Sequence, residues 1–374
     1  ALITVLRPAP SRREPACPHF GTCGGCALQH MADDAYSEWK RGLVIAALAQ
    51  RGFRDAEVGA LSRVGPGTRR RASLKAMRLA GGPVLGFYAR GSQRVVDVAR
   101  CPVLVPGLES LIAPLRALLG SLLGPSEKAE IELSWTDTGA DVAISAGREP
   151  TLADRGRLAE FAMSRDLARL CWQGGRNRPI EPVVERRKPE IAFGGAAVQL
   201  PPGAFLQPSA EGEARLIAWV SEAAAGAARI ADLYSGCGTF ALPLAKSARV
   251  HAVEGDSAMA DALRQAAGRA GLSGRLTVEC RDLERRPLIA RELSDFDAVV
   301  FDPPRPGAKA QAAEIAKSDV LTVVAVSCNP ATFARDARTL ADRGFRLGRV
   351  MPLDQFLWSP HVELVAAFSR EQRK

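Results

Sequence analysis

The chain lacks any long hydrophobic run. Nothing in it approaches the roughly 18 consecutive apolar residues that span a membrane as a helix. Its apolar start, Ala1–Leu6, is too short for a secretory segment, and Pro8 and Pro10 follow at once. These absences make the cytoplasm the expected location and leave membranes out of the expected partners. Internal repeats and low-complexity tracts are also missing, which excludes solenoids and arrays. No block of like charges is long enough to form a disordered basic tail. Without a secretion signal, the eight cysteines do not read as a disulfide framework.

What the chain does have is length and positive charge. Its 374 residues exceed one ordinary domain, so two or three are expected. The formal net charge is +9 and the pI about 9.4. That balance suits an anionic partner, of which nucleic acid is the commonest. The basic residues gather in short clusters, Arg69-Arg70-Arg71, Arg186-Arg187-Lys188 and Arg285-Arg286. The cysteines are unevenly placed. Cys17, Cys23 and Cys26 form a C-x5-C-x2-C group, and Cys101, Cys171, Cys237, Cys280 and Cys328 are scattered. Three close thiols with a distant fourth suit thiolate ligation of zinc or of an iron–sulfur cluster.

Four segments are expected. Residues 1–16 read as a strand and linker. Residues 17–30 together with 60–200 read as a central α+β domain. Its strands include Ser73–Leu79, Val84–Tyr88, Ile131–Trp135 and Asp141–Ile144, and its helices Leu104–Leu123 and Leu152–Arg169. Residues 31–59 are chiefly a helix, on which Tyr36, Trp39, Leu43 and Ala47 recur at three- and four-residue steps, packing on the domain that follows. Residues 201–374 alternate helix and strand regularly. That is the pattern of an α/β doubly wound parallel sheet, ending in an antiparallel strand at Val362–Phe368.

Within that last segment, Ile230 to Ala241 reads as strand, glycine turn and helix. Gly236, Gly238 and Ala241 give the spacing G-x-G-x-x-A, which lets the backbone approach a nucleotide-like ligand. Glu254 ends the next strand, where an acid accepts hydrogen bonds from ribose hydroxyls. Asp282 follows the third strand, where a polar group meets an adenine amine. Gln207, just before the first helix, is a further candidate contact. A dinucleotide would set its pyrophosphate at the helix N-terminus. S-adenosylmethionine presents an amino acid there instead, and the acidic neighbours favour it.

Two strand ends carry reactive residue types. Leu321–Val326 runs into Ser327-Cys328-Asn329-Pro330, and Ala298–Phe301 runs into Asp302-Pro303-Pro304-Arg305. Open α/β sheets bind ligands at such ends, so the thiol and the acid are expected in one site. A lowered pKa, from nearby positive charge or helix N–H groups, would make Cys328 a nucleophile. Glu363 opens the otherwise apolar last strand, and a desolvated carboxylate beside a thiol can move a proton. Asp-Pro-Pro followed by an aromatic residue would suggest methylation of an exocyclic amine; here Arg305 follows. Carbon methylation needs the nucleophile, because C5 of a pyrimidine reacts poorly until a thiolate adds to C6.

These residues together resemble the RNA uracil-C5 methyltransferases, and most closely the iron–sulfur-containing 23S ribosomal RNA enzymes. The likeness runs from Cys17 to the C-terminus. It rests on Cys-Pro-His-Phe-Gly-Thr-Cys-Gly-Gly-Cys from Cys17, Asp-Pro-Pro-Arg from Asp302, Ser-Cys-Asn-Pro from Ser327 and His-Val-Glu from His361. The resemblance implies a Rossmann-like class I methyltransferase domain and a central domain carrying a [4Fe–4S] cluster. Cys17, Cys23, Cys26 and Cys101 match the cluster ligands. Gln207, Tyr234, Thr239, Glu254 and Asp282 match contacts to S-adenosylmethionine, with Gly236 and Gly238 in its loop and Asp302 beside the reacting groups. Cys328 would add to C6 of uracil, and Glu363 would remove the C5 proton. The partner implied is RNA, with ribosomal RNA favoured over transfer RNA. A monomer is the simplest state.

The sequence departs from the family in places. Ser235 stands where many relatives have cysteine, and Ser209 where asparagine is usual, which puts its local contact in doubt. Thr239 stands where some relatives have asparagine. No β-barrel RNA-binding domain precedes the cysteine group, and Ala1–Leu6 reads as a remnant of its last strand. Three alternatives stay open: a transfer-RNA uracil-C5 enzyme, an exocyclic-amine methyltransferase built on Asp302-Pro303-Pro304, and a non-catalytic iron–sulfur RNA-binding protein.

Overall fold

The computed structural model describes residues 5–371. Ala1–Thr4, most of the expected opening strand, lie outside the described residues; Val5 and Leu6 belong to no strand. No helix among the described residues is long and apolar enough to cross a membrane.

After the helix Asp33–Ala49 comes a two-residue strand, β1 (Ser62–Arg63). A seven-stranded sheet then forms from β2 (Arg71–Leu79), β3 (Gly82–Tyr88), β4 (Val95–Asp97), β5 (Lys128–Thr136), β6 (Gly139–Ala146), β7 (Arg169–Gly174) and β8 (Glu181–Glu185). Its order is β4-β3-β2-β5-β6-β7-β8. Along β2, Ala72, Leu74 and Ala76 are buried while Arg71, Ser73 and Lys75 face away from that core. This alternation is that of a sheet covered on one face; helices Ile112–Leu122 and Leu152–Ser164 supply the cover.

Two expected helices differ. Leu104–Leu123 divides into Pro106–Glu109 and Ile112–Leu122. The second expected helix ends at Ser164 rather than Arg169. Arg169 instead opens β7, where its guanidinium grips Asp141 of β6 through two hydrogen bonds of 3.0 and 2.7 Å.

A hairpin of β9 (Glu190–Phe193) and β10 (Ala196–Gln199) leads into the second sheet. That sheet takes β1 together with β11 (Arg229–Leu233), β12 (Arg249–Glu254), β13 (Leu276–Cys280), β14 (Ala298–Phe301), β15 (Thr322–Ser327), β16 (Arg346–Asp354) and β17 (Glu363–Ser369). Its order is β1-β16-β17-β15-β14-β11-β12-β13. Every pairing is parallel except those of β17 with β15 and β16. The expected α/β sheet with an antiparallel last strand is therefore present. Its middle strands are apolar on both faces: β14 is buried throughout, as parallel strands sandwiched between helix layers are. The helix Asp33–Ala49 joins this core through Val44 and Leu48.

Candidate active site

The strand order reverses between β11 and β14: β12 and β13 lie to one side, β15 and β17 to the other. Ligands bind outside the carboxyl ends of such strands, and a cavity of about 840 Å³ opens there. β11 ends at Leu233, and the chain turns through Tyr234, Gly236 and Gly238 at φ of 61°, 55° and 101°. A side chain on Gly238 would stand 2.4 Å from Leu263 Cδ1, so the helix Ser257–Arg269 can close under this loop only over a glycine.

Glu254, at the end of β12, accepts from the Gly236 N–H through Oε2 and from the Asp256 N–H through Oε1, both at 2.8 Å. The acid expected to meet ribose hydroxyls thus also shapes the glycine loop. Asp282 accepts from the N–H groups of Glu284 and Arg285 at 3.0 and 3.3 Å. Gln207, Tyr234, Gly236, Thr239, Glu254, Asp282 and Asp302 all line the cavity. Gly238 does not; it packs beneath, against Leu263 and Leu242. Ser209, the uncertain position, caps the helix Ala210–Ala223 by accepting from the Gly212 N–H at 3.0 Å.

Cys328 and Glu363 line the same cavity. Ser327, the last residue of β15, pairs with Leu364 of antiparallel β17; Cys328 follows the one and Glu363 precedes the other, and the Glu363 charge acts on the thiol. Asn329 turns the chain there, its side chain accepting from the Ala331 N–H at 3.1 Å to start the helix Pro330–Ala341. The thiol is not acidified. Burial pushes it up to about 11, the carboxylates of Glu363 and Asp302 add to that, and Arg305 opposes only weakly. The condition under which the thiol would be acidified is not met: burial comes first and the two acids add to it.

Both acids are raised as well. Burial, then Asp302, pushes Glu363 up to about 8. Burial pushes Asp302 up to about 7, with the Gln207 amide pulling the other way. The half-buried thiol therefore sits between two carboxyl groups that titrate near neutral pH, the range in which a base takes and returns protons efficiently.

Two amides join those acids. Gln355 Nε2 donates to Glu363 Oε2 at 3.0 Å and to Gln207 Oε1 at 2.8 Å; Gln207 Nε2 donates to Asp302 Oδ2 at 3.2 Å. Arg70 fixes the Gln207 main chain. Its Nε donates to the Gln207 carbonyl at 3.1 Å, and its Nη2 pairs with buried Glu213 at 2.6 Å. The middle of the three clustered arginines is thus an internal strut, while Arg69 and Arg71 line the cavity. Phe205 stands half-exposed at the rim with the Arg71 guanidinium 4.9 Å from its ring centre. No periodicity or motif marks Gln355 or Arg70, which meet Gln207 from 148 and 137 positions away.

Cys17, Cys23, Cys26 and Cys101 line a second cavity of about 310 Å³, which shares Arg69, Ala72, Ser73 and Phe356 with the first. Burial raises the thiols of Cys23, Cys26 and Cys101; Cys17 adds to all three, Cys23 also to Cys26, and Cys26 and Cys23 also to Cys101. Among the described residues, no three His, Cys, Asp or Glu side chains are gathered closely enough to hold a metal ion. The four thiols surround one space without closing on one point.

A family profile described as tRNA (Uracil-5-)-methyltransferase matches residues 273–371. An uncharacterised RNA methyltransferase of Brucella suis biovar 1 is 45% identical over 99% of this chain and 87% of its own length. A 23S rRNA (uracil(1939)-C(5))-methyltransferase of Chromohalobacter salexigens is 37% identical over 99% of this chain and 79% of its own length. The chain belongs to the RNA (uracil-C5)-methyltransferase family. As a member of that family it is an enzyme that acts on RNA with S-adenosylmethionine as methyl donor. The fold matches that of the Pyrococcus abyssi tRNA (uracil-54, C5)-methyltransferase, solved with S-adenosyl-L-homocysteine. The TM-score is 0.74 at 24% identity, over 98% of this chain and 88% of that one. This is the class I methyltransferase fold of the RNA (uracil-C5)-methyltransferases.

Proposed function

We propose that this protein methylates C5 of a uridine in ribosomal RNA through a covalent Cys328–C6 adduct. The observation that carries the reading is that Glu363 and Asp302 both act on the Cys328 thiol in the same cavity that the glycine-loop residues Gly236 and Thr239 line. When bound there, S-adenosylmethionine supplies the methyl group. Gln207, Tyr234, Gly236, Thr239, Glu254 and Asp282 would hold it, and the acidic lining suits its positive charge.

The protein's own residues do the rest. The target uracil must leave its stack for C6 to reach a recessed thiol. A flanking carboxylate takes the Cys328 proton, and sulfur adds to C6, placing electron density on C5. After C5 is methylated, Glu363 removes its proton. The electrons of that C–H bond re-form the C5–C6 double bond and expel Cys328. Ribosomal RNA is favoured over transfer RNA because the 37%-identical relative carries a ribosomal name.

The four cysteines lining the second cavity form a donor set suited to iron–sulfur ligation, and we propose that Cys17, Cys23, Cys26 and Cys101 hold a [4Fe–4S] cluster. Such a cluster would tie the cysteine loop to the central sheet. Iron and sulfide analysis of protein purified without oxygen tests this; absence of both overturns it.

The test of the main reading is nucleoside mapping of RNA from cells lacking the protein. The expected result is loss of one 5-methyluridine from 23S ribosomal RNA. A loss confined to transfer RNA overturns the substrate, and an unchanged map with no labelled methyl transfer overturns the activity.

A further inference from the structure

We propose that Gln355 is a positioning residue for removal of the C5 proton, directing that proton to Glu363 Oε1; this rests on the reading of Glu363 as the base. An ionised carboxylate only accepts hydrogen bonds, whereas an amide both donates and accepts. In the ionised state that a base requires, the chain from Glu363 through Gln355 and Gln207 to Asp302 has a carboxylate at each end, so each amide turns its NH₂ toward an acid. The observed bonds obey this. Turning the Gln355 amide over would set its oxygen against two acceptors.

The arrangement has a cost that argues for its use. Gln355 is 2% exposed, and its Oε1 is buried without a partner among the described residues. A buried amide oxygen left unsatisfied is unfavourable, so folding alone would not select this side chain. Room for that oxygen comes from Gly212, where an added Cβ would stand 2.8 Å away.

The chain on both sides of Gln355 is anchored. Asp354 accepts from buried Lys40 and, at 2.6 Å, from the Tyr36 hydroxyl. Phe356 N–H donates back to Asp354 at 3.1 Å, and Trp358 N–H donates to the Tyr36 hydroxyl at 2.8 Å. With Oε2 of Glu363 engaged by Gln355, Oε1 is the oxygen left to take a proton. The donated hydrogen bond favours the carboxylate form that a base requires, against burial and against Asp302. Among nearby ionisable groups, Cys328 beyond β15 feels the Glu363 charge, Arg305 beyond β14 acts on Cys328, and His361, two residues before Glu363, is acted on by Arg305, Lys40 and Arg69.

The test compares the parent with Gln355→Met, using the full chain, S-adenosylmethionine and total RNA from cells lacking the protein. Methionine keeps the volume and removes both donors. The expected result is an acidic limb of kcat displaced upward by roughly one pH unit, with a covalent protein–RNA adduct building up during turnover. A parent-like profile overturns the proposal. So does a loss equal at every pH without adduct, which is what a smaller folded fraction would give. Glu363→Gln run beside it separates the two levels. If that variant turns over normally and traps nothing, the base assignment falls and takes the role of Gln355 with it. If it traps adduct while Gln355→Met behaves as parent, only the role of Gln355 falls.

Discussion

Cys328 follows Ser327 at the end of β15, Glu363 precedes the paired Leu364 at the start of antiparallel β17, and both line one cavity, where the Glu363 charge acts on the thiol. Glu363 is held in the ladder by its pairing with Leu353, while Cys328 stands one residue past β15, in the bend before the helix Pro330–Ala341.

Cys328→Ala is expected to abolish methyl transfer while leaving S-adenosyl-L-homocysteine binding near the parent value, because the glycine loop and Glu254 stand at the ends of β11 and β12 and do not depend on the thiol. Titration calorimetry with a labelled-methyl assay checks both halves. Retained turnover would sink the covalent mechanism.

Glu363→Gln is expected to cut turnover by roughly 10²–10⁴-fold, the usual loss when a positioned base is removed. It should also leave Cys328 bonded to RNA, since elimination needs the C5 proton gone. A shifted band on a denaturing gel reports the adduct. A variant as slow as this but free of adduct would move the base elsewhere.

Glu363 also predicts a pH effect on stability. Its native carboxyl titrates at about 8, above the 4.5 of an ordinary glutamate, so between those values the folded chain holds a proton the unfolded chain has released. Its contribution is fully present below about 4.5 and lost as pH rises toward 8. Glutamine has no such proton. The Glu363→Gln variant should therefore gain stability relative to the parent between pH 5 and pH 8.5, approximately, in urea unfolding. A constant difference would contradict the buried ionisation.

Lys40→Met is expected to destabilise the fold by roughly 3–5 kcal/mol, the cost of leaving a buried acid without its partner. Lys40 and Asp354 are both wholly buried. Arg346→Ala, which breaks a pair 83% and 90% exposed, should cost under about 1 kcal/mol. Equal effects in denaturant titrations would refute the distinction.

Much of this enzyme was legible before folding was considered. The alternation from β11 to β17 gave the sheet, because parallel strands buried on both faces leave apolar runs that helices must separate. Strand ends gave Asp302 and Cys328 as one site, because parallel strands all deliver their carboxyl ends to one edge. Arg70 was misleading. In sequence it is the centre of a basic cluster, yet its guanidinium turns inward to Glu213 and the Gln207 carbonyl. The raised pKa of the Cys328 thiol could not be read from its neighbours in sequence either: it comes first from burial and then from acids distant in sequence.

By itself, the sequence determined which chemical groups exist and at which strand ends they emerge, since periodicity and glycine spacing are local properties. Only the tertiary structure decided how those groups are tuned. Gln207 comes to Gln355 and to Asp302, and Asp354 comes to Lys40, through packing between segments far apart in the chain. Desolvation and hydrogen bonding, which set the carboxyl and thiol pKa values, depend on those neighbours and on nothing written beside the residues themselves.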